Sequence, residues 1–448
     1  MTESVAVRAV ERCQTMSRDC LQLVYRASTA SRPLAVRQVA DNFQTTFYPP
    51  ELAAVWYKGA AFFGGEHMRV IAVLTALVVL GGPALTAAQG DPSISSAEPF
   101  KLGTFDIAGE QRIGIVLRDT LVVDLAAANR ALQRDPAYPP IPVPATMVDL
   151  IGRYEYGMKT RLYEIVNSLA RGNRLTGAQR PAYVHDVKSL DILAPLMPGK
   201  MLNAAVNFYT HVGETGTAEE QKKAEAERRA KRGVPYLFIK PTRGAVVGDG
   251  DNVVIPHGRD RVDWEVELGI VIGRTAKYVG ADKAAEHIFG YMVTVDVSDR
   301  GGRPPDSRPG SDWLVGKGHD TFAPMGPWIV PKEFYGDPMK RLRQTLTVDG
   351  KVMQEAGASD MIHSIYELIE YGSSIITLYP GDVVNNGTSG GTGMGQAYRG
   401  AERFLKPGET IVASVDGIGS ITLNVVGEPA PAGGTGSRLP AVSSYRKQ

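Results

Sequence analysis

Over residues 262–273 the chain alternates between acidic and apolar side chains and then turns wholly apolar. Successive strand side chains point to opposite faces, so Asp263, Glu265 and Glu267 share one face of the predicted strand, and Trp264, Val266 and Leu268 share the other. The run Ile270-Val271-Ile272 has no polar face, which buries the end of the strand. Downstream, Tyr291, Val293, Val295 and Val297 form an apolar face with Asp296 opposite them, near the strand end. Similar patterning predicts strands over 234–240, 289–298, 326–331, 343–348, 382–386, 409–414 and 419–426. Nearer the start, residues 100–125 read as short strands with turns, in which 112–117 and 121–125 flank Arg118-Asp119-Thr120 like a hairpin. Helical periodicity follows around 126–133 and 158–171.

Two stretches break this alternation. Residues 218–232 (AEEQKKAEAERRAKR) are strong helix formers with interleaved charges, predicting a solvated helix laced by pairs such as Glu219–Lys223 and Glu227–Lys231. Residues 70–80 (VIAVLTALVVL) follow Arg69 and precede Gly81-Gly82-Pro83 and a run of small residues. A basic start, a short apolar core and a small-residue cleavage site make a secretory signal. It begins at Met68, so the sequence predicts a start there, a signal peptide over 68–88, and an over-extended N-terminus over 1–67. Gly64-Gly65-Glu66 require purine-rich codons where a bacterial ribosome-binding site lies. An exported, periplasmic protein follows, with a cytoplasmic or membrane-anchored one as the alternative. The rest divides into a linker (89–99), a small α+β domain (100–187), a larger catalytic domain (188–427) and a mobile tail (428–448).

Composition narrows the class. The 448 residues carry 49 Lys and Arg against 48 Asp and Glu, a balance that gives no electrostatic footprint for nucleic acid. The only cysteines are Cys13 and Cys20, which excludes a disulfide scaffold. With 49 glycines and 29 prolines, turns are frequent and the fold is expected to be α+β and β-rich.

The candidate chemistry starts from the carboxylates. Adjacent acids near a core repel one another and resist desolvation, a conflict that a hard divalent cation with oxygen ligands resolves. Glu265, Glu267 and Asp296 are the candidates, and three carboxylates with open positions suit Mg²⁺ or Mn²⁺; the other reading is an acidic strand facing solvent. His211 and Glu214, three apart, share a face if their segment is helical, and a His–carboxylate pair is a base with its orienter. Lys317 lies between Gly316 and Gly318, where it can approach a ligand. Residues 385–395 (NNGTSGGTGMG) form a loop rich in backbone N–H groups, suited to a carboxylate or phosphate, without the ending of a P-loop.

Taken in order, these segments resemble the fumarylacetoacetate hydrolase family. The resemblance runs from about residue 100 to 426 and rests on NFYTHVGE (207–214), YLFIKP (236–241), DWEVELGIVIG (263–273), GYMVTVDVSDR (290–300), GKGHDTFAPMGP (316–327) and NGTSGGTGMG (386–395). It implies a rolled mixed β-sheet like that of the fumarylacetoacetase C-terminal domain, with the small α+β domain ahead of it. It implies Glu265, Glu267 and Asp296 as ligands of Mg²⁺ or Mn²⁺, and His211 and Glu214 as a lid-borne pair that activates water. Lys317 is implied at a substrate oxyanion, and Thr388, Arg300 and Asp320 at the substrate. A homodimer acting on a small oxo acid is implied as well. The chain departs from the family pattern at Val295, over 301–312, at His319 and in the lengthened loop 389–395, all on the substrate side. The expected reaction is hydrolysis of a carbon–carbon bond in a β-diketo acid such as an acylpyruvate. Decarboxylation or tautomerisation of an oxo acid is the alternative, and a non-catalytic periplasmic oxo-acid binder is a third reading.

Overall fold

The structure, a computed structural model, describes residues 94–303, 312–398, 400–401 and 403–433. The expectations for residues 1–67, for the signal at 68–88 and for the tail beyond 433 lie outside the described residues. Among those described, no helix is long and apolar enough to cross a membrane.

The strands in chain order are β1 (Phe100–Ile107), β2 (Glu110–Leu117), β3 (Leu121–Asp124), β4 (Val184–Asp186), β5 (Asp191–Leu193), β6 (Met201–Ala204), β7 (Leu237–Ile239), β8 (Val246–Val247), β9 (Asn252–Ile255) and β10 (Val262–Asp263). There follow β11 (Val266–Ile272), β12 (Ile288–Val295), β13 (Ser298–Asp299), β14 (Ala323–Pro331), β15 (Arg343–Val348), β16 (Lys351–Gly357), β17 (Val383–Asn385), β18 (Thr410–Val415) and β19 (Gly419–Gly427). One mixed sheet runs β4-β3-β2-β1-β14-β12-β11-β17-β6-β7, with β5 on β1 and β8 on β14, and a second runs β16-β15-β18-β19-β9. The α+β, β-rich architecture expected from the sequence is the one found. Strands β1 to β4 extend the large sheet through β14, where Leu102 is registered with Ile329.

The two faces of the large sheet bury different partners. Leu268, Ile270 and Ile272 pack in one cluster with Leu346, Ile411 and Leu423 of the second sheet. Val271, Phe289 and Met292 pack in another with Leu150, Leu162 and Ile165. These last three come from the helices Met147–Arg153 and Met158–Arg171. Strand β11 is buried along its whole length because both its faces are covered. Replacing Ile270, which is fully buried, by Ala is expected to cost about 2–5 kcal/mol of stability, read from the midpoint of urea unfolding at an unchanged slope.

Local signals set the helices. Asp124 accepts the Ala127 N–H and starts the helix Leu125–Leu132, so the predicted strand 121–125 stops one residue early. Thr217 and Glu220 form a capping box at the head of Ala218–Ala230, and Ser364 and Glu367 form another at Ile365–Ile375. The charged helix has no buried residue, and it carries an i,i+4 ion pair between Glu225 and Arg229 at 2.7 Å. Arg229 also lies over the Tyr209 ring at 3.8 Å, which draws it to that face.

Candidate active site

The strand expected over 262–273 is interrupted at Trp264 and Glu265, between β10 and β11. Trp264 is fully buried, and the Asp263 carboxylate turns back to accept the Trp264 N–H at 2.8 Å. Beyond the break, Val266 is registered with Val295 and Glu267 with Thr294. The Asp296 N–H donates to the Glu265 carbonyl at 2.8 Å, so the two acids leave the ends of neighbouring strands together. Oxygens of Glu265, Glu267 and Asp296 lie within 4.8 Å of one another, and all three side chains are buried. The interruption also corrects the single shared face expected for Asp263, Glu265 and Glu267. Asp263 is not part of the trio; it accepts the N–H groups of Gly393 at 2.6 Å and Met394 at 3.0 Å.

Three cations surround the acids. Lys317 Nζ lies 2.9 Å from Glu265 and 2.6 Å from Asp296. Lys240 Nζ bonds Asp296 and, at 2.8 Å, the Val297 carbonyl. Arg300 bonds Glu265 and holds Asp263 at 3.1 Å. Burial pushes the Lys240 ammonium down to about 8, partly offset by Asp296. Burial also works against the charge on Lys317, but Asp296 and Glu265 outweigh it and hold the ammonium above its usual value. At Glu265 burial is likewise overcome, by Lys317, Arg300 and His211, and the carboxyl falls well below the usual range. Glu267 goes the other way: burial, then the charges of Asp296 and Glu265, raise it well above. The difference is one of partners, since no cation among the described residues pairs with Glu267. Its Oε2 accepts the Gly387 N–H at 3.0 Å, and its Oε1 is buried with no hydrogen-bond partner.

That orphaned oxygen tests the fit of a metal. A buried carboxylate oxygen without a partner carries an uncompensated desolvation cost. A divalent cation held by Glu265, Glu267 and Asp296 supplies the missing partner, and an all-carboxylate set suits the hard ions Mg²⁺ and Mn²⁺.

The second constellation is the His–Glu pair. Its segment forms a single turn, Tyr209–His211, and Glu214 follows on the next turn rather than on one continuous helix. The pair still forms: His211 Nδ1 is 2.7 Å from Glu214 Oε1. Burial lowers the His211 pKa, but the hydrogen bond and charge of Glu214 outweigh it, so the ring titrates above its ordinary value. The charged helix rests on this segment, with Gln221 Nε2 on the Thr210 carbonyl at 2.9 Å, while Arg232 beyond it pairs with Glu367 at 2.8 Å.

The residues expected at the substrate have different surroundings. Thr388 is buried; its hydroxyl donates to the Val266 carbonyl at 2.9 Å and accepts from Gln354 at 2.8 Å. Arg300 bridges Asp263 and Glu265. Asp320 is exposed on the turn beside Gly244 and enters none of the described ion pairs around the acids. Phe238 stacks on Trp313 with centroids 4.5 Å apart and lies under Lys317 Nζ, giving the cluster an apolar wall.

Sequence reasoning missed Lys240, the tie from Asp263 to Arg300, and Thr392, whose hydroxyl meets Glu214 at 2.5 Å. For Lys240 the signal was a lysine ending the apolar run Leu237-Phe238-Ile239. The other two depend on segments distant in sequence and leave no local pattern.

Comparison with known proteins bears on this site. Residues 200–426 match the family model for the fumarylacetoacetate (FAA) hydrolase C-terminal domain. An uncharacterized protein of Pyrococcus abyssi is 39% identical over 231 residues, covering 52% of this chain and 92% of that one. A mitochondrial oxaloacetate tautomerase of Bos taurus is 36% identical over 235 residues, covering 52% of this chain and 69% of that one. Among solved structures, the maleylpyruvate hydrolase of Sphingobium sp. SYK-6 superposes with a TM-score of 0.53 at 27% identity, over 73% of this chain and 100% of that one. A structure of the same hydrolase with manganese(II) and pyruvate gives 0.53 at 26% identity, with the same coverage. A hydrolase and a tautomerase are thus among the proteins this chain resembles, and the chain, with its acidic trio inside the matched region, belongs to the fumarylacetoacetate hydrolase family.

Proposed function

We propose that this protein is a divalent-metal-dependent hydrolase that cleaves a carbon–carbon bond in a β-diketo acid of the acylpyruvate type. The observation that carries the reading is the buried trio Glu265, Glu267 and Asp296, with its orphaned oxygen, in a centre that also holds the His211–Glu214 pair. Lys317 and Arg300, the cations that touch Glu265, are the groups this centre offers to the carboxylate of an oxo acid. The Sphingobium hydrolase, solved with manganese and pyruvate, is consistent with the same pairing of ion and oxo acid.

In this reading Glu265, Glu267 and Asp296 would hold a divalent cation, which would supply Lewis acidity to the oxo-acid end of the substrate. His211 donates Nδ1–H to Glu214, which leaves Nε2 free to accept a proton from water. The resulting hydroxide adds to the distal carbonyl, and the carbon–carbon bond breaks to give a carboxylic acid and the enolate of the keto acid. Lys317 brings its ammonium to that enolate, and the proton taken by His211 returns to its carbon. Phe238 and Trp313 offer an apolar surface to the acyl group.

A second reading, tautomerisation or decarboxylation of an oxo acid, is favoured by the 36% identity to the Bos taurus oxaloacetate tautomerase. One experiment separates the two. The purified protein is mixed with a panel of acylpyruvates and with oxaloacetate, in Mg²⁺, Mn²⁺ or EDTA, while enol absorbance and products are followed. Pyruvate plus a carboxylic acid, formed with metal and not with EDTA, is the expected result. Enol–keto exchange or carbon dioxide from oxaloacetate, with every acylpyruvate intact, would replace hydrolysis by the second reading.

A further inference from the structure

We propose that Thr392 and Gly391, on the loop that follows β17, are positioning residues that orient the His211–Glu214 pair. This role rests on the reading of His211 as the base. Three consecutive loop residues reach the dyad segment. The Gly390 N–H donates to Thr210 Oγ1 at 3.0 Å, the Gly391 N–H to Glu214 Oε2 at 2.8 Å, and the Thr392 hydroxyl to Glu214 Oε1 at 2.5 Å. With His211 on Oε1 as well, both Glu214 oxygens are held and the carboxylate plane is fixed.

The direction of these bonds fixes the histidine tautomer. Thr392 Oγ1 accepts the Gly395 N–H at 3.2 Å, which points its own proton at Glu214. Glu214 therefore accepts the Thr392 hydroxyl on Oε1 and the Gly391 N–H on Oε2. With both of its oxygens engaged as acceptors, the donor between the two side chains is His211 Nδ1, which carries the proton and leaves Nε2 its lone pair. Thr392 is fully buried and Glu214 nearly so, and no bulk water replaces a lost donor there.

The loop backbone is shaped for this approach. Gly391 has φ +101°, and a Cβ there would lie 2.1 Å from the Met353 carbonyl oxygen, so only glycine brings its N–H to Glu214. A Cβ at Gly395 would lie 2.6 Å from Glu214 Cδ, so the carboxylate occupies the space left by a missing side chain. The lengthened stretch 389–395 is thus a seat for the dyad, and it follows directly on Thr388.

The test compares Thr392→Val, Thr392→Ser and Gly395→Ala with wild type and His211→Ala. Metal affinity is read by calorimetry, turnover by steady-state kinetics, and the His211 ring by ¹⁵N NMR of histidine-labelled protein. Thr392→Val is expected to lower kcat about 10- to 100-fold with KM and metal affinity unchanged, the range typical of groups that orient a reacting residue. Thr392→Ser should restore most of the rate, and Gly395→Ala should behave like Val. The NMR signal of a ring protonated at Nδ1 should be present in wild type and redistributed in Thr392→Val, a readout that needs no turnover. Wild-type kcat and an unchanged imidazole signal in Thr392→Val, with His211→Ala impaired, would overturn this role and leave the hydrolase reading standing. Full activity in His211→Ala would overturn both.

Discussion

Replacing Glu267 by Gln is expected to lower Mg²⁺ and Mn²⁺ affinity by more than about 100-fold and to abolish turnover with it. Losing a group that merely supports a metal ligand typically costs about 10–100-fold, and a ligand itself should exceed that. Glu267 is the sharper test among the three acids because no cation competes for it: Glu265 and Asp296 already hold Lys317, whereas Glu267 Oε1 has no partner. Calorimetric titration of wild type and Glu267→Gln with Mn²⁺ reads the affinity, and thermal unfolding reads its linkage to stability. Metal at 100 times the wild-type dissociation constant should stabilise wild type by about 2.7 kcal/mol and Glu267→Gln by less than about 0.4 kcal/mol.

The same pair of proteins has a pH signature without metal. Burial and the neighbouring acids raise the folded-state pKa of Glu267 above its unfolded value. The folded protein then holds the proton more tightly than the unfolded chain, so this group's stabilising contribution is present below the unfolded value of about 4.3 and is lost as pH rises through the folded value. The stability of wild type relative to Glu267→Gln should therefore decline with rising pH in metal-free buffer. Equal metal affinity in the two proteins, or a stability difference that grows with pH, would remove Glu267 from the ligand set.

His211→Ala is expected to separate the two readouts, cutting turnover about 10²- to 10⁴-fold while leaving metal binding intact. His211 sits 2.7 Å from Glu214, and neither residue belongs to the acidic trio. Because Glu214 holds the ring above its usual pKa in spite of burial, the wild-type rate should rise with pH as the ring loses its proton. That limb should vanish in His211→Ala. Retained turnover would mean that the reaction needs no water activation, as tautomerisation or decarboxylation would allow.

Much of this was legible in the chain, for definable reasons. Strand β15 was read to the residue, and β18 and β19 to within a residue at each end, because their exposed and buried positions alternate. The clustering of Glu265, Glu267 and Asp296 was legible because acids inside apolar strands are expensive and so conspicuous. What failed was geometry. Period-two reasoning carried Asp263 onto the face of Glu265, but the chain breaks at Trp264, where a buried indole outweighs ladder pairing. Strands β8 and β10 are two residues long, too short to hold any period. The helix Ile365–Ile375 went unread although Ser364 and Glu367 spelled its capping box, since Gly372, Ser373 and Ser374 blur the helical face. Lys240 escaped because a lysine at a strand end ordinarily points to water, and only Asp296, far along the chain, turns it inward.

The seam between β1 and β14 carries a consequence for how the protein comes to be made. Leu102 is registered with Ile329, and in the second sheet Asn252 pairs beside Asn424, so early segments are completed by late ones. During synthesis β1 to β3 leave the ribosome long before β14; β5 can reach β1 at Thr104 to Asp106, but the stretch at Leu102 waits for Ile329. Such long-range pairing closes large loops before any contact offsets their entropy, which slows folding and exposes strand edges to other chains. Recombinant yield should therefore respond to translation speed and to chaperone supply more than to the stability of the finished enzyme, as the N-terminal strands wait on the ribosome for the strand that completes their sheet.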